Sequence, residues 1–330
     1  MLPTLDLTDA DTDPAGFATA LREAAHAHGF FYLVGHGIPD ARITEVLRLA
    51  RDFFALSAEE KARISALESP HFRGYSRLGG ELTNGQVDWR EQIDIGPDRP
   101  AIDDAQGYWN LQGPNLWPER PAAFREAFTS WISALSAVGL RLLQRWAVSL
   151  GAPADRFDAT FADRPATLLK VVHYPGSADR DQGVGAHKDS GVLTLLLVEP
   201  DSAGLQVETL SGEWIDVPPV PGAFIVNIGE LLEVATGGYL RATRHRVRAP
   251  GPGTDRVSIP FFLNPGLDAT IPIITLPPEL AALSRGVEAD PRNPIFHTYG
   301  ENAWKSRTRA HPDVAQRHHG IVPAGPGTNY

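Results

Sequence analysis

His187 and Asp189 are separated by one residue. His245 follows 56 positions after Asp189, and Arg256 and Ser258 bracket a single valine beginning 11 positions further on. In an extended chain, side chains two apart lie on one face. His187 and Asp189 can therefore address one point while Lys188 points away, and His245 can close a three-ligand face. Two imidazoles and one carboxylate leave open coordination positions, as expected of non-haem Fe(II) that binds an oxidant and O2. Arg256 and Ser258 share a face by the same rule, so a guanidinium fork and a hydroxyl can hold a carboxylate bidentately. A His-x-Asp triplet alone says little, since roughly one is expected by chance in a chain this long. Three ligands and a clamp, all in β-prone sequence, say much more.

The elements that must position these groups are legible around them. Residues 191–198 form an apolar, β-prone run, so a strand is the expected carrier of the His-x-Asp triplet. Residues 168–174 read as another strand; if Tyr174 points inward, so do Val172, Lys170 and Leu168. On the last core strand Arg256, Ser258, Pro260 and Phe262 share a face, which puts Phe262 in a substrate-pocket wall or in the core. Near the amino terminus, residues 3–7 read as a short strand, and Asp13 caps a helix opened by Pro14 and ended by Gly29. A strand over 30–34 follows, then an amphipathic helix with Ile43, Val46, Leu47, Ala50, Phe53 and Phe54 on its buried side. Ser57 and Glu60 form a capping-box pattern opening a short helix. This block should pack on one side of a barrel. His36, between glycines, reads as a turn residue rather than a ligand. Residues 69–118 are a loop rich in Gly, Pro and polar groups, of a length that tends to be functional. Residues 119–150 predict a long helix whose stripe, from Phe124 through Trp131 to Trp146, is core. A Pro-rich stretch over 272–294, a helix over 301–309 and a loose tail over 311–330 complete the chain. The adjacent His318 and His319 are discounted as a metal pair.

The motifs form a familiar succession: His173-Tyr174-Pro175, Gly185-Ala186-His187-Lys188-Asp189-Ser190-Gly191, Gly204-Leu205-Gln206-Val207, Pro221-Gly222-Ala223-Phe224, Asn227-Ile228-Gly229-Glu230, His245-Arg246-Val247 and Arg256-Val257-Ser258-Ile259-Pro260. Over residues 5–265 the chain resembles the isopenicillin-N-synthase-like family of Fe(II)/2-oxoglutarate-dependent oxygenases. The resemblance implies a mainly β fold with flanking helices, built on a distorted jelly-roll (double-stranded β-helix) core. It implies iron held by His187, Asp189 and His245, and the distal carboxylate of 2-oxoglutarate held by Arg256 and Ser258 with Tyr174 beside them. O2 would be the oxidant, and succinate and CO2 the by-products. Hydroxylation of a small organic molecule ranks first among the outcomes, ahead of desaturation and ring closure. Because the family uses the 69–118 region to line the mouth of the site, Arg73, Tyr75 and Glu81 become candidate substrate contacts, with bracing of the loop as the alternative. Lys170 either binds an anionic group of substrate or 2-oxoglutarate, or forms a salt bridge near the rim. The chain departs from the pattern at Val172-His173-Tyr174-Pro175, where many plant members have Asn-Tyr-Tyr-Pro, and at Glu230, where they have Asp.

Composition narrows the alternatives. With 42% apolar and 21% charged residues the 330-residue chain can bury a sizeable core. Residues 1–118 read as a support region with the active-site loop, and 119–330 as the long helix, catalytic core and C-terminal extension of one compact unit. A formal net charge of −10 argues against nucleic acid as a partner. No cysteine means no disulfide or thiolate chemistry, which fits a reducing compartment. No apolar run approaches the ~20 residues that span a bilayer and no signal peptide is evident, so cytoplasmic is the default. A monomer is the default too. Three other readings compete: an Fe(II) oxidase that uses no 2-oxoglutarate, a non-catalytic metal-binding homologue, and a zinc hydrolase, which lacks a positioned general base.

Overall fold

The computed structural model describes residues 1–322 apart from 288, 289 and 292. Its strands are β1 (Thr4–Asp6), β2 (Phe30–Val34), β3 (Gly74–Ser76), β4 (Leu82–Thr83), β5 (Gln86–Val87), β6 (Glu91–Ile95), β7 (Leu168–Pro175), β8 (Gln182–His187), β9 (Leu193–Val198), β10 (Leu205–Glu208), β11 (Trp214–Asp216), β12 (Phe224–Ile228), β13 (His245–Arg248) and β14 (Asp255–Leu263). The larger sheet runs β1-β2-β12-β9-β14-β7-β6-β3 and the smaller β11-β10-β13-β8. Together they are the two sides of the distorted jelly roll. Strands from the first 118 residues (β1, β2, β3 and β6) pair directly into the larger sheet.

The period of two sorts each central strand between two environments. On β14, Val257, Ile259, Phe261 and Leu263 join the main hydrophobic core, while Arg256, Ser258, Pro260 and Phe262 line the cavity between the sheets. β7 divides likewise, with Leu169 and Val171 in the core and Lys170 and Tyr174 on the cavity side. The outer face is covered by the helix Phe124–Ser149, whose Phe124, Phe128, Trp131, Leu143 and Trp146 are buried as the stripe requires. Asp13 caps the helix Pro14–Ala27 by accepting from the Gly16 amide, and Ser57 and Glu60 form the capping box of Ala58–Ala62.

Three expectations are corrected. His187 ends β8, but Asp189 lies in the turn before β9 rather than on a strand. Thr194 and Asn227 hold its side chain there, so hydrogen bonding and not the pleat aims it. The long helix begins at Phe124, not 119, because Pro121 disfavours helical backbone in the residue before it. Residues 311–319 are not a loose tail. His311 is buried and a helix spans Pro312–His319, with His318 and His319 hydrogen-bonded to the Leu67 and Pro70 carbonyls. The rest of that tail, 323–330, lies outside the described residues.

Helix and sheet approach closely at Gly139. A Cβ there would sit 2.8 Å from Leu263 Cδ2 and 3.4 Å from Leu195 Cδ1. Gly139→Val should therefore overpack this contact and destabilise the protein by about 1–3 kcal/mol. Urea unfolding measures this, and an unchanged midpoint would show that the helix can lift off the sheet without loss.

Candidate active site and metal centre

His187 and His245 face each other as a cross-strand pair on β8 and β13, with ring centroids 4.3 Å apart. Each Nδ1 lies against a carbonyl, at 2.8 Å to Gly185 O and 3.0 Å to Thr243 O. A carbonyl only accepts, so Nδ1 carries the proton and Nε2 presents its lone pair. Both Nε2 atoms point at Asp189 Oδ1, at 3.5 and 3.6 Å. The other oxygen, Oδ2, accepts from Thr194 Oγ1 at 2.6 Å and Asn227 Nδ2 at 2.8 Å. One carboxylate oxygen is thus committed to the protein and one is left for a cation.

The protonation states agree. Burial would raise the Asp189 pKa, but His245 and His187 beside it and the Thr194 hydrogen bond hold it well below the usual carboxylate range. Burial and the neighbouring His187 push His245 down to about 4. His187 moves the other way, because its hydrogen bond and charge interaction with Asp189 overcome burial. A divalent ion binding there would take the place of that proton.

Across the cavity, Arg256 on β14 stands opposite Tyr174 on β7, its guanidinium 4.8 Å from the ring centroid. Arg256 is 1% exposed and donates to Ser258 Oγ at 3.1 Å. Its Nε is buried without a partner, and among the described residues no carboxylate lies within ion-pair distance of it. A buried guanidinium left in this condition suits an incoming carboxylate. Phe262 and Leu168, register partners, line the same cavity of about 1400 Å³.

The remaining sequence candidates divide. Lys170 is not free to take an anion: its Nζ donates to Glu81 at 2.8 and 3.0 Å and lies 3.3 Å from Asp94. Arg90 joins Glu81 to Asp88, and Arg307, from the helix Tyr299–Ala310, reaches Asp94 at 3.1 Å. Glu81 lines the cavity but has both oxygens engaged. Glu81, Asp94 and His311 come close enough to suggest a second metal cluster, yet three cationic side chains already occupy that space. Arg73 and Tyr75 are corrected from substrate contacts to braces. Arg73 donates to the His71 and Leu111 carbonyls beside a separate small cavity, and the Tyr75 hydroxyl donates to Glu91 beneath the sheet. His36 sits in its turn, hydrogen-bonded to Gly222 O.

Sequence reasoning missed Thr194 and Asn227, Arg90, Arg307 and the β4–β5 hairpin. Asn84-Gly85 at the tip of that hairpin, both with positive φ, is a strong hairpin signal. The hairpin covers the His187 side of the cavity, where Asn84 donates to the Ala186 carbonyl and Asp88 accepts from the Gly185 amide. Asn227 and Thr194 could have been found as inward polar positions on otherwise apolar strands. Glu230, one of the departures from the family pattern, is 8% exposed and lines the cavity, and burial raises its carboxyl to about 7.

Known proteins resemble this chain in sequence and fold. Residues 2–120 match the family model described as the N-terminal region of non-haem dioxygenase in morphine synthesis, and residues 165–265 match that of the 2OG-Fe(II) oxygenase superfamily. The chain is 36% identical to the 2-oxoglutarate-dependent dioxygenase frbJ of Dothideomycetidae sp., covering 96% of this chain and 91% of that one. It is 37% identical to a homoarginine-6-hydroxylase of Oryza sativa subsp. japonica, covering 79% and 81%. Among solved structures, JOX2 in complex with 2OG, Fe and JA superposes with a TM-score of 0.74 at 26% identity, covering 98% of this chain and 89% of that one. The dioxygenase for auxin oxidation in rice gives 0.66 at 26% identity, covering 92% and 94%.

Because Thr194 fixes the ligand carboxylate without touching the cation, Thr194→Val should weaken Fe(II) binding about 10–100-fold while leaving the fold intact. Anaerobic Fe(II) titration checks this; native affinity in the variant would show that Asn227 suffices.

Proposed function

We infer that this chain, which belongs to the 2OG-Fe(II) oxygenase superfamily and is an Fe(II)/2-oxoglutarate-dependent dioxygenase, holds its iron through His187, Asp189 and His245 and its co-substrate through Arg256, Ser258 and Tyr174. The observation that carries this assignment is the pairing of a fixed-tautomer His-Asp-His face with a buried guanidinium that pairs with no carboxylate among the described residues, both opening on one cavity. Iron and 2-oxoglutarate supply the hard chemistry, O2 activation coupled to decarboxylation, with succinate and CO2 released and a C–H bond oxidised.

The protein's share is placement. Arg256 offers its fork to the distal carboxylate, Ser258 takes one guanidinium hydrogen and helps to orient it, and Tyr174 closes the side of the slot. Phe262 and Leu168 present apolar surface to the substrate. The β4–β5 hairpin limits water on the ligand side. Hydroxylation of a small polar organic molecule is the outcome we favour; the relatives include hydroxylases of homoarginine, so basic amino acids head a substrate screen. The charge of −10 favours a small molecule over nucleic acid. Lack of cysteine supports a cytoplasmic location, and no helix among the described residues is long and apolar enough to cross a membrane.

Anaerobic addition of 2-oxoglutarate to the Fe(II) protein should give the weak visible charge-transfer band of a chelated 2-oxo acid. His187→Ala should abolish the band. Arg256→Gln should raise the 2-oxoglutarate concentration needed by about two orders of magnitude, since a buried charged hydrogen-bond pair is lost. Iron binding without any band in the native protein would move the assignment to an oxidase that uses no 2-oxoglutarate.

A further inference from the structure

Glu230 opens the short helix Glu230–Ala235 directly after β12, the strand that carries Asn227. Its backbone amide donates to the Asp189 carbonyl at 2.8 Å, so the residue sits in the wall on the iron side of the cavity. The side chain is 8% exposed, lines that cavity, and makes no hydrogen bond or ion pair within 4 Å among the described residues. The nearby cations Lys305 and Lys188 act on it only through charge, with no direct contact. Lys188 is engaged with Glu233 at 3.1 Å, and Lys305 donates to the Pro294 carbonyl. Other carboxylates at the site are accounted for: Asp189 by Thr194 and Asn227, Glu81 by Lys170 and Arg90. A carboxylate so far from water is costly to maintain without a partner.

We propose that Glu230 is the recognition group for a cationic nitrogen, an ammonium or guanidinium, on the substrate. This rests on the iron and 2-oxoglutarate reading above and deepens it. The charge balance permits a cation there: dianionic 2-oxoglutarate and Asp189 together outweigh the ferrous ion, and Arg256 brings the sum to neutral. The position of Glu230 next to Asp189 also puts the charged end of the substrate near the metal rather than at the mouth. The C–H bond to be oxidised is then close along the molecule to the nitrogen.

The test uses anaerobic protein loaded with Fe(II) and 2-oxoglutarate, titrated calorimetrically with n-butylguanidinium and with its neutral isostere n-butylurea. The cation should bind at least tenfold tighter than the urea, and Glu230→Gln should erase the difference. Equal affinities in the native protein overturn the proposal. So does a preference that survives in Glu230→Gln, which would place the cation elsewhere. A preference that appears only in Lys305→Met would show that Lys305 is the resident partner, and it too overturns the proposal. Should Glu230→Gln misfold, Glu230→Asp gives a graded loss, and the native comparison stands without either variant. The charge-transfer band is read in the same samples. Failure of the co-substrate reading therefore shows as a missing band, distinct from equal affinities in a sample that has one.

Discussion

The site depends on one cross-strand pair. Asn227 on β12 and Thr194 on β9 stand directly opposite each other, and both donate to the same oxygen of Asp189. Asp189 lies in a turn, where no pleat dictates its direction, so these two donors replace the geometry a strand would have supplied. They leave Oδ1 as the point toward which both imidazoles converge. The register of β9 against β12 is in turn set by alternating apolar residues packed under the helix Phe124–Ser149. A slip of one residue would send Asn227 and Thr194 into the core and bring leucines to the metal face.

Much of this was legible in the sequence. The candidate triad His187, Asp189 and His245 and the candidate clamp Arg256–Ser258 are visible as residue types and spacings, and the inner faces of β7 and β14 follow from the period of two. The carrier of Asp189 was misjudged, because the apolar run after it suggested a strand two residues too early. Arg73 and Tyr75 are candidate contacts because they lie in a polar loop of functional length, and Lys170 because it is a lysine on an inward strand face, each beside a bracing or salt-bridge alternative. They turned out to be spent on partners that no local pattern reveals: Leu111 O, Glu91 and Glu81 lie between 16 and 89 residues away. Long-range pairing of charges is what a single sequence hides best. Glu230 was hidden differently. Its significance lies in lacking a direct partner among the described residues, and that is visible only once the neighbours are placed.

The buried charges near the cavity also tie its C-terminal wall to the sheet. Lys170 and Glu81 are 89 residues apart in the chain, and Arg307 is contributed by the helix Tyr299–Ala310. Asp94 is shared by Lys170 and Arg307, so the hairpin region, the sheet and the C-terminal helices meet at one set of ion pairs. Removing one member would strand the others out of water, which is costlier than any single contact suggests. Such a cluster defines the wall's shape more than it adds to net stability.

Arg256 carries a consequence for the folded state as a whole. A guanidinium buried without a carboxylate partner among the described residues carries an electrostatic penalty. Under the assignment given above, 2-oxoglutarate relieves that penalty only in the folded chain, which alone has the slot. By mass action the ligand then adds to folding free energy, about 2.7 kcal/mol when present at a hundred times its dissociation constant. The lifetime of the protein in a cell would rise and fall with the supply of a central carbon metabolite, coupling abundance to the same molecule that fuels turnover.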